Sequence, residues 1–232
     1  MPVFLWTDIC VFALLGGVAG YFVHVARQPH LRSTWLRVTE SPSGMAALVV
    51  LSAFLVVGLL DSLHFRPALD KPDAEGKTVY AVEVLSVLDT LAEPLKARQE
   101  RTYSAPLATR AYARETIEIP GVNGAPAQQK REFPRLRHGG IHLEDEAGWS
   151  ADVGARILQG IALGVILWLL VTGAWLLGLA KYSEMPLGAL WRQIAAGQTR
   201  VPWRTISAAI ACLCVIGMPV LLLSVPYHVL GT

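Results

Sequence analysis

The chain has 232 residues, of which 53% are hydrophobic and 16% are charged, and its formal net charge is +2. Soluble domains usually contain about 25% charged residues, and the hydrophobic residues here lie in long blocks, so the composition indicates a membrane protein. The small net charge, with no single basic face, excludes a typical nucleic-acid partner. All the cysteines lie inside apolar blocks, which excludes a disulfide framework and favours a space-filling role; they are Cys10, Cys212 and Cys214.

The first apolar block covers residues 9–25 and is followed by Arg27, Arg32 and Arg37. Because basic residues collect on the cytoplasmic side of a membrane, this order predicts a first span that runs inward. The block has no basic residues before it and no small-x-small cleavage site after it, so it does not resemble a signal peptide.

A short basic loop over residues 27–43 is predicted to be amphipathic and to lie on the inner surface. Ser41 to Gly44 then have the composition of a helix start, with serine as the cap and proline in the first turn. Residues 45–63 form the second span, which runs outward. Its Asp61 is an acid near a membrane, which is a functional candidate, but the position also suits an ordinary interfacial residue.

Residues 67–154 form the predicted extracytoplasmic cap, which is too long for a loop without structure of its own. Helical periodicity predicts one helix over Val79 to Arg98, with a kink or an end near Pro94. Alternation predicts a short strand over Arg114 to Pro120, and composition predicts a turn over Gly121 to Gln129.

One cluster in the cap has side chains that could bind a metal ion. His138 and His142 are four residues apart and are followed by Glu144, Asp145 and Glu146, which could together hold zinc or another divalent ion. Two glycines between the histidines interrupt the helix that this spacing would need, so an exposed polar loop is the alternative. No hydrolase motif is present, and the sequence predicts no catalytic, cofactor-binding or metal-binding residue.

The third span is predicted over residues 157–179 and runs inward. Met185 to Ala196 is predicted to be an amphipathic helix on the inner surface, ended by Gly197. The fourth span, residues 206–225, runs outward and should bend near Pro219. The sequence thus predicts an all-α membrane protein with four transmembrane helices, and with a small mixed cap between helices two and three.

This order divides the chain into residues 1–66, 67–154 and 155–232, with both termini outside the cytoplasm. The first and last parts are each a two-helix membrane hairpin, and the middle part is the cap.

The end of the chain resembles a known family. The stretch W-R-Q-I-A-A-G-Q-T-R-V-P-W-R precedes the fourth span, and Y-H-V-L-G-T follows it. These are similar to permease subunits of ABC importers for oligopeptides, dipeptides and nickel, which carry a His-x-Leu-Gly-Thr-Asp-x-x-Gly-x-Asp-Val motif outside an outgoing helix. The matching motif residues are His228, Leu230, Gly231 and Thr232. A looser similarity covers His142 to Gly160.

The resemblance implies the N-terminal part of a permease in the bacterial inner membrane that moves peptides or similar small solutes inward. It also implies a second permease subunit, cytoplasmic ATPase subunits and a solute-binding protein as partners. The chain stops where the motif's Asp would follow, and it lacks the coupling loop that docks on the ATPase. We therefore expect a fragment that is inactive by itself and that holds no cofactor.

Two other classes of function remain open. One is a stand-alone four-helix membrane protein whose cap senses a ligand or assembles a complex. The other is a membrane enzyme, which would need buried polar groups that converge. The candidates for such groups are dispersed along the sequence, so we do not expect an enzyme; they are His24, Asp61 and His228.

Overall fold

The computed structural model describes residues 1–69, 78–96, 100, 105–119 and 128–229. The described chain is mainly helical. Its helices are α1 (Trp6–Arg27), α2 (Pro29–Glu40), α3 (Pro42–Ser62), α4 (Val87–Leu91), α5 (Glu93–Lys96), α6 (Trp149–Ser183), α7 (Leu187–Ala195) and α8 (Trp203–Ser224). Its strands are β1 (Pro2–Val3), β2 (His64–Phe65), β3 (Leu85–Ser86), β4 (Glu115–Ile119) and β5 (Gln128–Glu132).

Among the described residues, four helices are long and apolar enough to cross a membrane: α1, α3, α6 and α8. Their large apolar side chains are mostly outside any protein core: Phe54 is 71% exposed, Leu51 64% and Ile216 62%. Such exposure in water would be unfavourable by about 25 cal/mol for each Å² of apolar surface, whereas lipid chains solvate it. The prediction of a helical membrane protein with four spans is confirmed at this level.

Helix α6 is longer than the span predicted at residues 157–179. Its 35 residues extend for about 52 Å at a rise of about 1.5 Å per residue, whereas the hydrocarbon core of a bilayer is about 30 Å thick. The apolar centre of α6 can therefore cross the membrane while its first two turns, which carry Asp152 and Arg156, extend beyond the hydrocarbon.

Local sequence signals predicted the start of α3 and the end of α7. The Ser41 hydroxyl accepts a hydrogen bond from the Gly44 N–H at 3.4 Å, with Pro42 in the first turn of α3. Helix α7 begins two residues after Met185, and Gly197 follows its end with a φ of +68°. This left-handed conformation suits glycine at a helix end. The predicted start of α3 and the predicted end of α7 are confirmed.

The single helix predicted over Val79 to Arg98 is wrong. Strand β3 occupies Leu85–Ser86, and two short helices, α4 and α5, follow it. The Ser86 hydroxyl accepts from the Asp89 N–H at 2.9 Å, and the Asp89 carboxylate accepts from the Ser86 N–H at 3.0 Å. This reciprocal cap starts α4 at Val87, while strand pairing with β2 holds the two preceding residues extended.

The strand predicted over Arg114 to Pro120 is confirmed as β4. It pairs with β5 in an antiparallel register that joins Glu115 to Glu132 and Ile119 to Gln128. Of the turn predicted over Gly121 to Gln129, residues 121–127 lie outside the described residues, and the last two residues belong to β5.

The fold separates into two compact units. The first contains residues 1–93 and 172–210, and the second contains residues 94–171 and 211–232. The three-part division at residues 66 and 154 stays a prediction.

In the first unit, β1, β2 and β3 form a small antiparallel sheet at one end of α1 and α3. The Met1 ammonium group also donates to the Arg66 carbonyl at 2.9 Å. These bonds attach the first residues of the chain to the segment that follows α3.

In the second unit, α6 and α8 approach each other through backbone. A Cβ atom on Gly160 would lie 2.5 Å from Pro219 Cα, and one on Gly164 would lie 2.5 Å from the Cys214 carbonyl oxygen. Two glycines four residues apart are a common motif for close helix–helix packing in membranes. By contrast, a Cβ on Gly154, in the same helix, would meet nothing within 4 Å.

We expect Gly160→Ala and Gly164→Ala to destabilise the folded chain, because the added methyl group forces the two helices apart. The expected loss is about 1–3 kcal/mol, as in other overpacked sites. It is measured as the free energy of unfolding in mixed micelles titrated with a denaturing detergent and followed by circular dichroism.

The matched control is Gly154→Ala, which should be neutral or slightly stabilising because alanine favours helix by up to about 1 kcal/mol over glycine. Equal stability for all three variants would contradict the close contact between α6 and α8.

Candidate functional site at the ends of helices α6 and α8

A hydrogen-bonded cluster is centred on the carboxylate of Asp152, in the first turn of α6. Its Oδ2 atom accepts from Arg156 Nε, His142 Nε2 and the Tyr227 hydroxyl, each at 2.8 Å. An ionised carboxylate only accepts hydrogen bonds, so His142 carries a proton on Nε2. The carboxylate thus joins three parts of the chain: α6, the loop before it and the segment after α8.

Tyr227 is the buried member of this cluster, with 2% of its surface exposed. Its ring packs against Val153 and Leu223 in a buried apolar cluster and meets the His142 ring edge-on at 5.7 Å. Burial and the hydrogen bond to Asp152 raise the pKa of Tyr227 to about 12. The phenol therefore stays neutral and donates its proton throughout the physiological range.

Two backbone hydrogen bonds dock the segment after α8. The Gly140 N–H donates to the Pro226 carbonyl at 2.8 Å, and the Leu107 N–H donates to the His228 carbonyl at 2.9 Å. Gly140 has a φ of +67°, and a Cβ there would lie 2.9 Å from Thr109 Cγ2. Glycine is therefore needed at this position both for its backbone conformation and for space.

Glu100 fixes the same loop from its other side. Its two carboxylate oxygens accept from the backbone N–H groups of Arg137, at 2.7 Å, and His138, at 2.9 Å. Burial by itself would raise the pKa of Glu100, but these bonds outweigh it and hold the pKa below its ordinary value of 4.5. His228 Nε2 is buried 3.6 Å from Glu100 and has no hydrogen-bond partner among the described residues.

The structure brings together only part of the predicted site. His228 lies beside Glu100, whereas Leu230, Gly231 and Thr232, the rest of the family motif, lie outside the described residues.

The two histidines of the possible metal site line the same cleft but have different partners. His142 binds Asp152, while His138 lines two neighbouring clefts. Within the ranges that the structure describes, no group of three or more His, Cys, Asp or Glu side chains could hold a metal ion. Among the described residues, a metal ion bound by His138 and His142 would therefore have no third ligand.

The sequence reasoning missed a buried acid in the first unit. Asp8 is 1% exposed, and its Oδ2 accepts from the Leu5 N–H at 2.9 Å and contacts His64 Nδ1 at 3.0 Å. Asp61 and His24, which the sequence did single out, are exposed near the ends of α3 and α1. A carboxylate in the first turn of an apolar helix was the available signal for Asp8.

Ser86 lies opposite His64 in the sheet of the first unit, which places serine, histidine and aspartate types near one another. Ser86 is fully buried, however, and its hydroxyl accepts from the Asp89 N–H. Its observed role is to start α4.

Comparison of the chain with models of protein families, with curated proteins and with solved structures finds no match. The fold itself defines the class: four long apolar helices indicate a multi-pass membrane protein.

We expect Tyr227→Phe to lower the free energy of unfolding by about 1.5 kcal/mol, the lower end for a hydrogen bond to a charged group. The ring and its packing are kept, so the loss reports the bond to Asp152. Alkaline titration of tyrosine absorbance should also lose the group that ionises near pH 12.

Tyr112→Phe is the control, because Tyr112 is well exposed and shows no side-chain partner in the described structure. If both variants had the same stability and both kept the titration near pH 12, the assigned hydrogen bond would be wrong.

Glu100→Gln should make the second unit less sensitive to acid. The pKa of Glu100 is lower in the folded chain than in the unfolded chain, so its stabilising effect is present above pH 4.5. That effect is lost as the pH falls through the folded-state value. The wild type should therefore lose more stability than the variant between pH 7 and pH 3, as measured by denaturant unfolding at each pH.

Glu144→Gln serves as the comparison, since Glu144 is exposed and makes no hydrogen bond in the described residues. Parallel stability curves for the wild type and Glu100→Gln would show that the carboxylate does not hold the loop.

Proposed function

We propose that this chain is the N-terminal membrane part of a permease subunit of an ABC importer. In this proposal it moves peptides or similar small solutes inward across the bacterial inner membrane. The observation that carries the proposal is the order of elements at the end of the chain. Amphipathic α7 and a basic turn precede apolar α8, and the Tyr227-His228 segment lies directly after it. The resemblance implies the same order in the permease family.

The surroundings of α7 support an inner-surface location for it. Leu190 and Ile194 are buried, while the neighbouring Trp191 is 60% exposed. An exposed aromatic residue of this kind is typical of a helix that lies in the membrane interface.

The basic turn after α7 is held in place by contacts within the first unit. Arg200 Nε forms an ion pair with Glu40, and the rings of Trp175 and Trp203 lie 4.2 Å apart. The fixed turn keeps Arg200 and Arg204 at one end of α8, which agrees with a cytoplasmic position.

The cap then lies outside the cytoplasm, where a solute-binding protein would dock. Asp152 and Glu100 connect the loop before α6 to the segment after α8, so a force on that loop reaches two spans. Docking of a loaded binding protein could in this way bias the outer ends of α6 and α8. ATP-driven closure by the ATPase partners would supply the opposite bias, and a second permease subunit would complete the pathway.

The experiment uses the complete gene in its host. Deleting the gene should abolish uptake of a radiolabelled tripeptide and leave uptake of the free amino acids unchanged. Wild-type complementation should restore uptake, whereas a gene without residues 70–150 should restore little. An affinity tag on the wild-type protein should also recover an ATPase subunit from detergent-solubilised membranes.

Unchanged tripeptide uptake in the deletion strain, with no ATPase subunit recovered, would overturn the permease proposal. That result would favour the stand-alone membrane protein with a ligand-sensing cap.

A further inference from the structure

The loop Leu136–Leu143 forms one wall of a cleft of about 430 Å³ beside the end of α8. No carboxylate is among the described residues that line it. Its lining combines basic or titratable side chains with apolar ones: Arg137, His138, His142 and Arg156 with Ile141, Val225 and Pro226. The cleft therefore presents positive charge next to apolar surface.

The backbone of this loop is held by hydrogen bonds that leave the side chains of Arg137 and His138 available. The Arg135 guanidinium donates to the carbonyls of Gly140 and Leu143, and Glu100 accepts from the backbone of Arg137 and His138. The side chains of Arg137 and His138 make no hydrogen bond within the described residues. The Arg135 guanidinium and the Glu100 carboxylate thus hold the loop through its backbone, and the side chains of Arg137 and His138 remain available for a ligand.

A second cleft, of about 410 Å³, shares His138 and Val225 with the first and is mostly apolar. Its wall includes Val220 and Leu221 from the last turns of α8, which are 46% and 57% exposed. These two residues belong to a helix that is apolar enough to cross a membrane. The apolar wall is therefore continuous with the surface of α8 that faces lipid chains.

We propose that these joined clefts bind an anionic phospholipid from the leaflet at this end of α8. Arg137, with His138 beside it, contacts the phosphate, because guanidinium groups form paired, charge-assisted hydrogen bonds with phosphate oxygens. Arg156, which Asp152 orients, adds positive charge at the back of the cleft. One acyl chain lies along Val220 and Leu221.

The combination of surfaces selects a lipid over a soluble anion. A free phosphate or carboxylate would use the cationic loop but would leave the adjoining apolar wall uncovered. A phospholipid uses both, and its headgroup is held at the depth at which α8 leaves the hydrocarbon. The inference does not depend on the permease proposal, since it rests only on the geometry of the second unit.

Native mass spectrometry of the full chain tests it. The protein is stripped of lipid in detergent and titrated with phosphatidylglycerol or phosphatidylcholine of the same acyl chains. We expect tighter binding of phosphatidylglycerol at one site, and a loss of about fivefold in its affinity for Arg137→Gln, as for one basic residue at a membrane surface. Phosphatidylcholine binding should change little.

Arg131→Gln is the matched control, because it removes the same charge from exposed strand β5, away from the clefts. If Arg137→Gln does not fold, as judged by circular dichroism and thermal unfolding, His138→Gln replaces it and should also weaken phosphatidylglycerol binding. A final arm adds soluble glycerol phosphate, which should not displace the lipid at equal concentration.

Equal affinities for the two lipids, or equal effects of Arg137→Gln and Arg131→Gln, would overturn the proposal. Displacement of the lipid by equimolar glycerol phosphate would overturn it too, because it would show a site for a soluble phosphate and no role for the apolar wall.

Discussion

The contact between α6 and α8 determines how the second unit is built. Between two apolar helices in lipid there is little hydrophobic driving force, since lipid chains are as apolar as the side chains they replace. Association then depends on close packing and on polar bonds. Gly160 and Gly164 supply the packing because α6 has no side chains there to keep Pro219 and Cys214 away. Asp152 supplies the polar bonds at the end of α6 that extends beyond the hydrocarbon.

The same polar bonds determine what the surrounding surface offers to a ligand. Asp152 and Glu100 accept bonds from His142, Tyr227 and the loop backbone. Their negative charge is therefore used inside the structure, where Asp152 also pairs with Arg156, and Arg137 is left as the unpaired cation among the described residues that line the neighbouring cleft. An acid that accepts three hydrogen bonds on one oxygen is poorly placed to act as a catalytic base. The arrangement suits binding and positioning better than it suits acid–base chemistry.

The permease proposal and the lipid proposal are compatible. A bound anionic lipid at the end of α8 would steady the region that connects the loop before α6 to the last described residues of the chain. A transporter alternates between states by moving such helix ends, so a lipid held there would favour one of the two states. The His228–Glu100 pair lies at the same place, and its buried Nε2 atom has no hydrogen-bond partner in the described structure.

The sequence by itself determined the features that depend on neighbours along the chain. Apolar blocks of about twenty residues specify spans because each helix satisfies its own backbone in lipid. Ser41 and Gly197 mark helix ends because a cap involves only the adjacent turn. The sequence could not show that Ser86 starts a helix, because the pairing of β3 with residues 64–65 also decides that boundary.

Only the tertiary structure decided which polar groups meet. Asp8 and His64 are 56 residues apart, and Asp152 and Tyr227 are 75 apart. No periodicity links such positions, since their contact follows from how whole helices and loops pack. For the same reason, the packing role of Gly160 and Gly164 could be recognised only from the position of α8 against them. A Cβ atom added to the glycines of α1 would meet nothing within 4 Å.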